Sequence, residues 1–233
     1  ADPTLIPPEH DADYSEHVVR LPDSYMPTNP TRGISNRPMR RSDYGLPEDK
    51  FVFCGFNNIT KLNPGSFSAW MKILTAVPNS VIWLSPAPYR AAQNIHNFAR
   101  KLGVDSNRII FSNREDKSED HLARQRLADL FLDSFPHNAH ATSCDALWAG
   151  LPILTRIGQG YAARVAASLL NAVGMPEMVT TTTDEFINKA ICIANTPGES
   201  ERLKAKLAQN LLSMPLFNTE RYARNLEKAY TIM

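Results

Sequence analysis

LFLDSFPHNAHATSCDALWAGLPILTRI, residues 130–157, is the stretch whose reading decides the fold. Two apolar runs, LFLDS (130–134) and PILTRI (152–157), read as buried strands. Between them NAHATSCDALWAGLP (138–152) opens a helix, with Leu147 and Trp148 to bury it against a sheet. Strand, helix, strand is a βαβ unit with a parallel sheet. The turn before the helix crowds His140, Thr142, Ser143 and Asp145 together. Thr142-x-x-Asp145 fits a capping box, in which the hydroxyl and carboxylate satisfy free backbone amides. A helix start at the end of a parallel strand is also an anion site. The small Ala139 and Ala141 allow a ligand close to the backbone. Both readings stand on the residues alone.

Working outward, the same alternation covers most of the chain. FVFCGF (51–56), SVIWLS (80–85), RIIFS (108–112) and a weak MVTT (178–181) add four strands. Helices are predicted at 64–77, 91–103 (closed by Gly103), 118–129 (with Ser118 as N-cap) and 162–174 (ending at Gly174). Three more follow at 183–195, 199–212 and 218–233. Six strands alternating with helices predict an α/β fold with a doubly wound, Rossmann-like parallel sheet. Ligands of such sheets lie beyond the carboxyl ends of the strands, at a switch point. The domain is read as 39–233, and Pro-rich, polar, aperiodic residues 1–38 as a linker or a segment draped over something else.

Composition narrows the partners. The 233 residues carry a formal net charge of +1, from 25 basic and 24 acidic residues. No long-range field draws the chain to nucleic acid or an anionic membrane, so anion binding must be local. No apolar run reaches the length of a membrane span. Cys54, Cys144 and Cys192 lack CxxC spacing and sit in apolar segments, which reads as buried free thiols in a reducing, cytoplasmic setting.

The loops at the ligand edge hold the candidate chemistry. After the first strand come Asn57, Asn58, Thr60 and Lys61; the lysine suits a phosphate as a point charge, or is simply solvated. There is no GxGxxG fingerprint. After the third strand, Lys117, His121 and Arg124 fall at i, i+4 and i+7 on one helical face. An imidazole there can stack on a base. The alternative is a solvated face with an Asp120–Arg124 ion pair. After the fifth strand, Gly158 and Gly160 precede Arg164 in a helix's first turn.

RRSDYGLPEDKFVFCGFNNITKLNP, AWMKILTAVPNSVIWL, NRIIFS, QRLADLFLDSFPHNAHATSCDALWAGLPILTRIGQGYAARVAASLL and PLFNTERYARNLEKAY together resemble the C-terminal catalytic half of the O-linked N-acetylglucosamine transferase family. The resemblance covers about residues 39–230, in order. Residues 1–38 resemble the end of that family's N-terminal catalytic half. The resemblance implies one half of a GT-B fold, which binds the nucleotide sugar. A missing N-terminal half and tetratricopeptide repeats would complete the protein. Lys61 matches the lysine that contacts the diphosphate and stabilises leaving UDP, and Asn58 stands near the phosphates. His121 matches the histidine that stacks on uracil, and Arg124 an arginine of the same pocket. Lys117 matches a ribose-contacting lysine across a one-residue insertion. His140, Thr142 and Asp145 match a pattern that holds the diphosphate and ribose hydroxyls.

Two departures are Ala141, where the family pattern has Thr, and Thr60, where it has an aromatic residue. They bear on the sugar more than the nucleotide; relatives use GDP-fucose or UDP-glucose. The implied activity is inverting transfer of N-acetylglucosamine from UDP-GlcNAc to Ser or Thr of a protein or peptide acceptor, with no metal and no other cofactor. A second reading is a non-catalytic nucleotide-sugar-binding or scaffolding module.

Overall fold

A computed structural model describes residues 1–232. Six parallel strands form the sheet: β1 (Phe51–Gly55), β2 (Ser80–Leu84), β3 (Ile109–Phe111), β4 (Leu130–Leu132), β5 (Ile153–Arg156) and β6 (Val179–Thr180). Their order is β3-β2-β1-β4-β5-β6. Every strand expected from the apolar runs is present, each shorter than its run because the flanking residues turn into loops. The chain leaves the edge strand β3 and re-enters beside β1 at β4, with Phe53 opposite Leu130. The crevice between the β1 and β4 carboxyl ends is therefore the switch point.

Among the described residues eight α-helices complete the layers: α1 (Pro64–Ala76), α2 (Tyr89–Lys101), α3 (Ser118–Gln125), α4 (Ala141–Trp148), α5 (Val165–Ala172), α6 (Thr183–Asn195), α7 (Glu199–Ser213) and α8 (Thr219–Ile232). Met233, at the end of the expected last helix, lies outside the described residues. Helix α6 packs on α1, while α4 packs between α3 and α5. Right-handed crossovers put these two groups on opposite faces. Val52, Phe53, Ile82, Trp83, Leu130, Phe131 and Ile153 fill the centre with no more than 1% exposure. Gly103 and Gly174 take φ of 79° and 72° beyond their helices, the left-handed region that suits glycine.

Three local expectations are corrected. Ser118 is the first residue of α3, and Lys117 precedes it with no side-chain cap. The capping box at α4 is not formed: the cap position is His140, again without a side-chain bond, and Asp145 pairs with Arg32 instead. Of the thiols, Cys54 is buried, Cys144 half-buried and Cys192 exposed. Cys192 lies on the outward side of α6, between inward Phe186, Ala190 and Ile193.

Residues 1–38 drape over this domain. Leu5 and Ile6 enter its core. The fully buried Asp2 accepts from the Thr4, Leu5 and Tyr25 amides and from Ser168 Oγ on α5. At the far edge, Arg221 of α8 grips Asp23 through two bonds of 2.6 and 2.8 Å. At the amino ends of β1 and β4, both Asp129 oxygens accept from Arg41 Nη2 (2.9 and 2.8 Å), and Oδ2 accepts from the Val52 amide as well.

The helix layer sits close on the sheet at Gly55, where an added Cβ would lie 2.9 Å from the Trp70 ring of α1. Trp70 is itself 2% exposed and has no room to retreat. Gly55→Ala is expected to cost about 1–3 kcal/mol in chemical denaturation. Gly160→Ala, whose Cβ meets nothing within 4 Å, is expected to stay within about 0.5 kcal/mol.

Candidate functional site

The switch-point crevice is built around one carboxylate. Asp133 follows β4 with no exposed surface. Its Oδ1 accepts from the Ser134 and Ala139 amides at 2.8 and 2.7 Å and from Asn57 Nδ2 at 3.2 Å. Its Oδ2 accepts from Thr155 Oγ1 of β5 at 2.6 Å. One side chain thus ties together β4, β5, the loop after β1 and the entry to α4. Burial pushes its pKa up to about 7, against these four bonds, which favour the ionised form.

Lys61 closes the same crevice. It ends a single 3-10 turn, Ile59–Lys61, whose cap is Asn58, with Asn58 Oδ1 accepting from the Thr60 amide. Lys61 Nζ donates to the Asn138 carbonyl at 2.9 Å, two residues before His140. Its own burial lowers its pKa and the charge of Asp133 opposes that. Helix α4 then begins with no side-chain cap. His140 Nε2 lies 3.5 Å from the Ala162 carbonyl, and burial together with Lys61 lowers its pKa, which favours the neutral ring. Thr142 follows in the first turn, half-buried.

The adjoining cleft has a volume of about 530 Å³ and is lined by Arg32, Phe56, Asn58, Arg114, Glu115, His121, Arg124 and Asp145, among others. Arg124 is not a solvated helix residue: it is 3% exposed, with its guanidinium 4.9 Å from the Phe56 ring centre. Its Nη2 donates to His121 Nδ1 at 2.9 Å, and guanidinium has no acceptor, so that nitrogen must be unprotonated. Burial and the neighbouring Arg124 lower the His121 pKa accordingly. Asp120, the expected partner of Arg124, faces Arg37 at 3.8 Å.

Residues 35–226 match the profile of glycosyl transferase family 41. The chain belongs to that family. It is 39% identical over 223 residues to a protein of Arabidopsis thaliana named probable UDP-N-acetylglucosamine–peptide N-acetylglucosaminyltransferase SEC. A Caenorhabditis elegans UDP-N-acetylglucosamine–peptide N-acetylglucosaminyltransferase is 37% identical over 187 residues. These matches take in 93% and 80% of this chain but 23% and 16% of the relatives. A mutant O-GlcNAc transferase from Thermobaculum terrenum superposes with a TM-score of 0.87 at 29% identity, over 99% of this chain and 43% of that one. A sucrose-phosphate synthase from Thermosynechococcus elongatus, at 12% identity and a TM-score of 0.66, shares the fold. The sheet and its helices are one half of a GT-B fold.

Within this family 41 half, the structure gathers the sequence candidates into two adjoining groups. Lys61 and His140 stand at the crevice with Thr142 beside them; Asn58, His121, Arg124 and Asp145 line the cleft. Lys117 is exposed at the start of α3 and does not line the cleft, where Arg114 stands instead. Ala141 lies in a smaller groove of about 190 Å³ on the other side of Asp145. Arg164 lies outside the cleft lining and ties the N-terminal segment down, donating to the Thr4 and Gly158 carbonyls. Sequence reasoning missed Asp133, Glu115 and Arg32. Asp133 could have been found as a lone charge closing an apolar strand; Arg32 carries no local signal. The Asp11-Ala12-Asp13 triplet lies outside this cleft, with Asp11 paired to Arg20 and Asp13 facing His10. Among the described residues, no group of three or more His, Cys, Asp or Glu is arranged to hold a metal ion.

The raised Asp133 pKa has a sign that can be checked. The folded chain holds this proton more tightly than the unfolded chain, so its contribution to stability falls as pH rises from about 4 to about 7. Asp133→Asn can keep the amide contacts through its Oδ1. The variant is expected to fold and to show a flatter stability profile across that window by urea denaturation at several pH values. An unchanged slope would show that Asp133 is ionised throughout.

Proposed function

We propose that this chain is the donor-binding half of a protein O-GlcNAc transferase, taking UDP-GlcNAc and transferring its sugar with inversion to a Ser or Thr hydroxyl. The observation that carries this is the Lys61 ammonium, held on the Asn138 carbonyl beside the uncapped start of α4. A diphosphate placed there meets a fixed cation and free helix-start amides together. As the acceptor hydroxyl attacks the anomeric carbon, UDP leaves from the opposite face and negative charge grows on its β-phosphate. Lys61 and the amides around Thr142 stabilise that charge without reorganising. The neutral His121 ring offers a face to uracil above Arg124, and Asp145 offers a carboxylate to the ribose hydroxyls. Asn58 adds an amide near the phosphates.

No metal enters this scheme. The acceptor site is assigned to the N-terminal catalytic half of the full-length protein, which also carries tetratricopeptide repeats, and the general base to that half or to the substrate itself. The names of the relatives support the sugar and the peptide acceptor. Ala141 and Thr60 each remove a side-chain contact and bear on which sugar is carried, while Lys61, His140 and Asp145 are all present, which supports an enzyme over a decayed scaffold. A cytoplasmic setting belongs to the same proposal. No described helix is long and apolar enough to cross a membrane.

Calorimetric titration with UDP and GDP checks the reading. The native chain is expected to bind UDP weakly and in preference to GDP. Lys61→Ala and His121→Ala are each expected to cost about tenfold or more in affinity, the scale of one charge-assisted or stacking contact. Tighter GDP binding would overturn the donor, and a folded chain that binds neither nucleotide would overturn the donor site.

A further inference from the structure

We propose that Arg32, carried by the N-terminal segment, is a positioning residue of the donor site. It holds the Asp145 carboxylate in the orientation that receives the ribose hydroxyls, and it offsets that carboxylate's charge beside a diphosphate. The inference rests on the donor-site reading above and extends it to a residue outside the family-matching region, which begins at residue 35.

The geometry is specific. Arg32 Nη1 bonds Asp145 Oδ1, and both side chains are largely buried, at 31% and 20% exposure. Both line the same cleft as His121 and Arg124. The segment that delivers Arg32 is fixed by contacts that do not use its guanidinium. Trp148, one turn of α4 beyond Asp145, donates its indole Nε1 to the Arg32 carbonyl at 3.0 Å. The Ser35 amide donates to the Glu119 carbonyl of α3 at 3.2 Å, and Thr28 Oγ1 to the Leu216 carbonyl at 2.6 Å. The guanidinium is therefore presented to the cleft by a built wall, and its removal leaves that wall standing.

The chemistry requires such a partner. A carboxylate receives vicinal ribose hydroxyls well, but unpaired it repels the phosphates that share the ligand. No capping role occupies Asp145, since α4 has no side-chain cap. A guanidinium against one carboxylate oxygen fixes the group's rotation and leaves the other oxygen for a hydroxyl. Arg32 also contributes to the lowered His121 pKa, together with Arg124.

Protein chemical-shift titrations with UDP and with uridine read weak affinities and test this directly. Arg32→Ala is expected to weaken uridine by about tenfold and UDP by at least as much, with an unchanged melting temperature. Arg32→Lys should recover part of the loss, and Arg32→Ala should add little in an Asp145→Asn background. Native-like binding by Arg32→Ala would overturn the proposal. So would a loss confined to UDP, which would make Arg32 a direct phosphate contact, or fully additive losses in the double variant. A native chain that binds neither ligand would instead overturn the donor-site reading, and this inference with it.

Discussion

A carboxylate with no exposed surface, placed just beyond the central strand, is the constraint on which the rest of this site depends. Asp133 cannot reach water, so both of its oxygens must be satisfied from within. The donors that meet them come from β5, from the loop after β1, from the residue beside it and from the approach to α4. Satisfying one charge thereby sets the path of the 133–140 loop. That path brings the Asn138 carbonyl under Lys61 and leaves the first turn of α4 open at the crevice. A buried polar network of this kind fixes geometry more surely than it adds stability.

The electrostatics divide along the same lines. The two histidines of the site are both pushed toward the neutral form, each by burial and by a nearby cation: Arg124 for His121 and Lys61 for His140. Positive charge is left to the lysine and the arginines. Arg124 stands under the aromatic wall of Phe56 and Trp83, 4.9 and 5.8 Å from their ring centres. A flat aromatic ligand meets uncharged rings there, while an anionic one meets the cations. A nucleoside diphosphate carries both kinds of surface.

The fold was legible because its signals are periodic. Six apolar runs between helical patterns lead directly to the six parallel strands, and the switch-point rule then names the loops after β1 and β4. The approach of Lys61 and His140 was likewise readable as an edge of the sheet. What escaped was set by long-range geometry. Thr142 and Asp145 have capping-box spacing, yet the pair does not cap: α4 already begins at Ala141 with His140 at the cap position, and Arg32, 113 positions earlier in the chain, claims the carboxylate. Lys117 and Arg124 share a helical register, yet one is solvated and the other buried, because α3 starts only after Lys117. The Pro-rich segment has no period to betray that Leu5 and Ile6 belong to the core. Its anchors are single polar contacts to residues far along the chain.

Asp129 and Asp133 bracket β4 from its two ends. The first binds the Val52 amide and Arg41 at the amino side, and the second binds Asn57 and Thr155 at the carboxyl side. A pair of strands clamped at both termini cannot splay, so the floor of the crevice behaves as an anvil. Any adjustment at the crevice therefore falls to the side chains that turn on this fixed base, Lys61 and His140 among them.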